Sequence, residues 1–133
     1  MALLIKLLLR LYMPTEGEIL LDGKNINTYS LKDYYKYIGV VFQDFQLFSF
    51  SIAENVLLDK YLPEDEQKVT EALEILSFDN RLSKTSQGIA TLVSKEFDSS
   101  GVDFSGGERQ KIALARTMVR DFSILIFDEP ASA

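Results

Sequence analysis

Apolar and polar positions follow two rhythms along this chain, one helical and one of unbroken runs. Over residues 1–12, Leu3, Leu4, Leu7, Leu8 and Leu11 recur at helical spacing while Lys6 and Arg10 share the opposite face. This predicts an amphipathic core helix, with a membrane-surface helix as the alternative. A signal peptide does not fit, because Lys6 and Arg10 interrupt the apolar run and no small-residue cleavage site follows. The run is also too short for a membrane span. The same period returns at Pro63–Leu76, where Val69, Leu73 and Leu76 line one face with Ala72 beside them. Glu64, Asp65 and Glu66 fill the first turn there, where acidic groups suit the helix dipole. It appears a third time at Gly106–Arg120, with Ile112, Leu114, Ala115, Met118 and Val119 on the apolar side and Arg109, Lys111, Arg116 and Arg120 on a basic one.

Two segments break the helical rhythm with continuous apolar runs: Ile38-Gly39-Val40-Val41-Phe42 and Ser123-Ile124-Leu125-Ile126-Phe127. Such runs predict central parallel strands buried on both faces. Between these elements, Met13–Gly17 reads as a turn, Glu18–Leu21 as a short strand and Asp22-Gly23 as a hairpin turn returning at Asn25-Ile26. Leu31–Tyr37 reads as a short helix capped by Ser30, and Phe78–Leu82 as another. Gly88–Gly101 reads as loop.

Composition narrows the choices. The 133 residues suit one domain or part of one, and 47% hydrophobic content is enough for a core. The net charge of −6, without a long basic run, disfavours a nucleic-acid partner. With no cysteine there is neither a disulfide nor a thiolate metal site, and there is no histidine.

The candidate chemistry is concentrated between Phe104 and Pro130. Ser105 stands where a helix N-cap belongs, and Glu108 follows at capping-box spacing. Gly106 and Gly107 are poor helix formers, tolerable where something must approach the backbone closely. A helix N-terminus with bare N–H groups suits an anion such as phosphate. The second feature is Asp128-Glu129-Pro130 at the end of an apolar strand, where open α/β sheets bind ligands. A carboxylate there can hold Mg²⁺ while its neighbour orients or deprotonates a water. Taken singly, the first feature is a turn before a helix and the second an acidic turn. Joined by one amphipathic helix, they are far more specific.

In these residues the chain resembles the ATP-binding cassette (ABC) ATPase family, exporter-like. Phe104–Glu108 is similar to the family's signature motif, with Phe104 in place of the usual Leu, and Ile124–Asp128 to its Walker B strand. The resemblance implies that Glu129 is the catalytic glutamate and that Asp128 holds Mg²⁺. It implies that Gln43, after the first apolar run, forms a Q-loop completing the metal's coordination. Ser105, Gly106 and Gly107 are then the groups that meet the γ-phosphate of ATP. The stretch Phe45, Leu47, Phe48, Phe50 is either the contact with a transmembrane partner or a satellite of the core.

Leu4–Leu8 resembles the helix that follows the family's phosphate loop, G-x-x-x-x-G-K-[ST]. That spacing is not met: Gly23-Lys24 is the only Gly-Lys pair, with Glu at 18 and Asn at 25. The family's switch histidine is also missing. The expectation is therefore a fragment truncated at both ends. It would be a partial P-loop NTPase-like α/β fold, with a parallel-sheet remnant, a small antiparallel part and a helical signature subdomain. Residues 50–105 would form the helical region, and 106–133 the signature helix, Walker B strand and start of the D-loop. By resemblance the partners are a transmembrane domain and a second nucleotide-binding domain in a head-to-tail dimer. The place is the cytoplasmic face of the membrane, the cofactors are ATP and Mg²⁺, and this chain by itself is expected to be inactive. A non-transport ABC ATPase and a non-enzymatic interaction fragment are the alternatives.

Overall fold

Helix α1 covers Leu3–Leu8 and β1 covers Leu20–Leu21 in the computed structural model, which describes residues 2–42 and 44–128. The chain divides into two compact units, Met1–Gln43 with Phe122–Ala133, and Asp44–Asp121.

In the first unit, the leucine stripe of α1 does not bury as its spacing predicts. Leu3, Leu4 and Leu11 are exposed; of the stripe Leu8 packs as expected, joined by Ile5 and Leu9, around Ile26, Tyr34, Ile38 and Ile126. The reason is local. The helix ends at Leu8, and Arg10 turns to a φ of 57°, so the helical period does not reach Leu11. The exit is held by Tyr34, whose hydroxyl donates to the Leu8 carbonyl at 2.6 Å, and by Arg10, which donates to the Tyr29 carbonyl at 2.8 Å.

Strand β2, Lys24–Asn25, pairs antiparallel with β1 in the register Leu20↔Asn25 and Leu21↔Lys24. Asp22 and Gly23 both have positive φ, 50° and 76°, as a two-residue hairpin turn requires. Ser30 caps α2, Leu31–Tyr34, through its Oγ and the Asp33 N–H at 3.1 Å, as predicted. Strand β3, Ile38–Val41, runs parallel to β4, Ile124–Phe127, from Ile38↔Ile124 to Val41↔Phe127. Gly39 is required by close packing: a Cβ there would lie 2.5 Å from the Phe122 ring. The expected burial of β4 on both faces is corrected. Ile126 is buried, but Leu125 and Phe127 stay 39% and 45% exposed. Leu125 and Phe127 share one face of β4, and that face stays partly open.

The second unit is built from four helices: α3 (Ile52–Leu57), α4 (Glu66–Ile75), α5 (Asp79–Leu82) and α6 (Gly106–Met118). Its core joins the predicted faces of α4 and α6 with α3: Ile52, Val56, Val69, Leu73, Ile112 and Ala115 are all fully buried. Burying one such aliphatic side chain contributes roughly 1.5–3 kcal/mol. Helix α3 opens on a Ser51–Glu54 capping box, and Ser51 also bridges to Leu92. The stretch before α6 folds back tightly. A Cβ on Gly101 would stand 1.9 Å from the Ser94 carbonyl oxygen.

Candidate functional site

The capping box predicted at Ser105 is formed. Ser105 Oγ accepts the Glu108 N–H at 3.3 Å, and Glu108 Oε2 accepts the Ser105 N–H at 2.9 Å. This locks the first turn of α6 and leaves Ser105, Gly106 and Gly107 exposed on it. A Cβ on Gly106 or Gly107 would meet no atom within 4 Å beyond the adjacent residues and backbone of its own helix. Neither glycine has the positive φ that would call for one. The packing of this chain therefore does not need glycine at either position. What the pair provides is an exposed helix N-terminus with no side chain over its first two residues, an arrangement suited to an anion.

Glu108 does a second job. Its Oε1 accepts a bond from Arg81 Nε of α5 at 2.9 Å. The Ser105 N–H, and then the Arg81 charge, hold the Glu108 carboxyl below its usual range. The Arg81 guanidinium lies 5.0 Å from the centroid of the Phe104 ring, which is buried and packs on Phe78 at 5.8 Å.

The aromatic stretch before α3 divides in two. Leu47 packs on the core and Phe45 is half-buried, whereas Phe48 and Phe50 are 50% and 56% exposed with ring centroids 6.3 Å apart. Fully buried Asn55 supports them from below. Its Oδ1 accepts the Phe48 N–H at 2.7 Å, and its Nδ2 donates to the carbonyls of Phe48 at 2.9 Å and Ser51 at 3.0 Å. Arg116 of α6 reaches the same place, donating to the carbonyls of Asn55 at 2.8 Å and Gln46 at 2.7 Å. Arg120 donates to the Leu57 carbonyl at 3.1 Å. The basic side of α6 is thus partly spent inside the unit as clamps on the loop and on α3. Burial lowers the Arg116 pKa, with the Arg120 charge acting the same way.

Asp128 belongs to the other unit. It directly follows β4, is half-buried, and its N–H donates to the Val41 carbonyl at 2.9 Å, so it leaves the sheet at the C-terminal end of both parallel strands. Gln43 and Glu129 lie outside the described residues. Among the described residues no three acidic side chains gather as a metal cage, and no helix is long and apolar enough to cross a membrane.

Sequence reasoning did not single out Asn55 or Arg81, and it read Arg116 as part of a basic surface. Ser51 and Glu54 at capping-box spacing were a legible sign of α3, and with it of Asn55 on its first turns. Arg81 carried no such sign.

Comparison with known proteins agrees over nearly the whole length. The ABC transporter family matches residues 2–132. The chain is 36% identical over 129 residues to the mitochondrial iron-sulfur clusters transporter ATM1 of Candida glabrata, covering 97% of this chain and 17% of that protein. It is 37% identical over 127 residues to the ATP-dependent lipid A-core flippase of Vibrio vulnificus, covering 93% of this chain and 21% of that one. It is 40% identical over 130 residues to the beta-(1→2)glucan export ATP-binding/permease protein NdvA of Bartonella bacilliformis, covering 98% and 21%. A solved bacterial Atm1-family ABC exporter with ATP bound is similar in fold, with a TM-score of 0.79 and 34% identity over 98% of this chain and 22% of that one. The chain spans about a fifth of the length of these relatives.

Proposed function

This chain belongs to the ABC transporter family, and we propose that it works as part of the ATP-hydrolysing, nucleotide-binding domain of an exporter. Family membership makes ATP the general ligand. The observation that carries the reading is the open Gly106-Gly107 turn, which the fold does not need and a phosphate would use.

In this reading Ser105 offers its hydroxyl, and Gly106 and Gly107 their N–H groups, to the γ-phosphate of a nucleotide held chiefly by a second domain in a head-to-tail dimer. Asp128 is the carboxylate for Mg²⁺ and Gln43 adds its side-chain oxygen. A lone carboxylate with an amide fits this ion, which keeps several waters and takes its other ligands from phosphates. When bound, Mg·ATP supplies the phosphoryl group and neutralises charge as it transfers. Glu129 orients and polarises the attacking water. Phe48 and Phe50 form the contact with the transmembrane partner, which would hold the domain at the cytoplasmic face of the membrane. Residues 50–105 then act as the helical region and 106–133 as the signature helix, Walker B strand and D-loop start.

The test pairs this chain with a related full ATPase domain whose own signature serine is replaced by Arg. Hydrolysis is expected to rise above that of the damaged domain alone, and Ser105→Arg in this chain to abolish the gain. No gain with a chain shown folded by circular dichroism would overturn the reading.

A further inference from the structure

The signature turn presents a chemical conflict. Its cap partner is a carboxylate, and Glu108 Oε2 sits on the Ser105 N–H at 2.9 Å, in the same turn as the glycine amides. A carboxylate suits a helix N-terminus well. It repels a phosphate approaching the same turn, and the repulsion grows as water leaves the site.

Arg81 answers that conflict by geometry. Its Nε donates to Glu108 Oε1 at 2.9 Å, and both side chains are only 29% exposed. The guanidinium is held from the other side by the Phe104 ring at 5.0 Å, and Phe104 is wedged on Phe78. Lys111, one turn along α6, is engaged elsewhere, donating to the Ser77 carbonyl at 3.2 Å. The stack Phe78–Phe104–Arg81–Glu108–Ser105 therefore runs unbroken from the core to the cap. It also gives the aromatic at position 104 a role: a leucine would fill space there but would present no π face to Arg81.

We propose that Arg81 is a positioning residue for the signature turn: it neutralises Glu108, so that the turn keeps its capping carboxylate and still accepts the phosphates of a nucleotide. The proposal rests on the nucleotide reading above for its ligand, but not for its geometry.

The experiment has two arms on the full chain. The first follows the Glu108 carboxyl and the Ser105 amide by NMR. In Arg81→Met the carboxyl is expected to titrate nearer the ordinary range, with Ser105 amide exchange about fivefold faster, the factor for a weakened cap. Arg81→Lys should recover the titration. Unchanged titration and exchange in Arg81→Met would overturn the proposal. The second arm pairs the chain with the related ATPase domain whose own signature serine is replaced by Arg, titrates Mg·ATP and follows the Gly106 and Gly107 amides. Arg81→Met is expected to weaken the response by about threefold, the size of one charge at a helix N-terminus, and Arg81→Met with Glu108→Gln to restore it. A loss that the neutral glutamine does not restore would make Arg81 merely structural and overturn the proposal. If neither the parent nor any variant responds in the paired assembly, the nucleotide reading fails, and the first arm decides the role of Arg81.

Discussion

Arg116 Nε donates to the Asn55 carbonyl oxygen at 2.8 Å, tying α6 to α3, the helix that follows the aromatic loop. The same arginine holds the Gln46 carbonyl at 2.7 Å, while the Asn55 side chain holds both backbone groups of Phe48. A loop with two exposed aromatics is thereby pinned by side chains from the two helices beneath it. Removing the Asn55 side chain takes the partner from both part-buried backbone groups of Phe48. Asn55→Ala is expected to cost about 3 kcal/mol and Arg116→Lys, which keeps the charge but loses the fork, about 1–2 kcal/mol. Urea unfolding followed by circular dichroism measures both. A cost under about 1 kcal/mol for Asn55→Ala would mean that the loop holds its own shape.

The three glycines near the signature should behave in opposite ways. Gly101→Ala pushes a Cβ onto the Ser94 carbonyl and is expected to destabilise by about 2 kcal/mol or more. Gly106→Ala and Gly107→Ala meet open space and are expected to leave stability equal or raised by up to about 1 kcal/mol. In the paired-domain assay the same two changes should lower hydrolysis. Unfolding by either alanine would show that the pair serves the fold.

Thr91 is 2% exposed and its Oγ1 has no hydrogen-bond partner among the described residues. Thr91→Val removes the orphaned hydroxyl at constant shape, so stability is expected to hold or to rise by up to about 1 kcal/mol. A clear loss in the urea midpoint would reveal a bonded water or a partner reached by local motion.

Acid should loosen the signature turn. The Glu108 carboxyl is held below its ordinary value of 4.5 by the Ser105 N–H and by Arg81. A group whose folded pKa is depressed contributes stability above the unfolded pKa and loses it as pH falls through the folded one. The contribution is therefore complete above about pH 4.5 and fades below it. Exposed Asp33 and Asp98 and half-buried Asp65 are also held below their ordinary value of 3.8, so they add to the acid response. Urea midpoints from pH 7 to pH 3 are expected to fall less steeply for Glu108→Gln than for the parent. Superimposable profiles would remove Glu108 from the acid response.

Phe48 is half exposed, so Phe48→Asp is expected to keep the fold, with the urea midpoint nearly unmoved. Association with a transmembrane partner should fall. Loss of the circular-dichroism signal instead would return Phe48 to the core.

What the sequence determined by itself was short-range. The Ser30 and Ser105 caps, the Asp22-Gly23 turn and the apolar faces of α4 and α6 follow from residues within a few positions of one another, and each formed as its pattern predicted. The resemblance of residues 104–108 and 124–128 to a signature motif and a Walker B strand was legible for the same reason, as residue types at set spacing. Tertiary structure decided the rest. Position along the stripe alone did not say which leucines of the first helix bury, because Arg10 ends the period and Tyr34 holds the exit. Nor did the apolar run of β4 say that one of its faces stays open. The contacts of Arg116, Arg120 and Lys111 were hidden for a physical reason: their acceptors are backbone carbonyls. Every residue carries a carbonyl, so no residue type marks the partner, and only the folded chain selects which ones lie within reach.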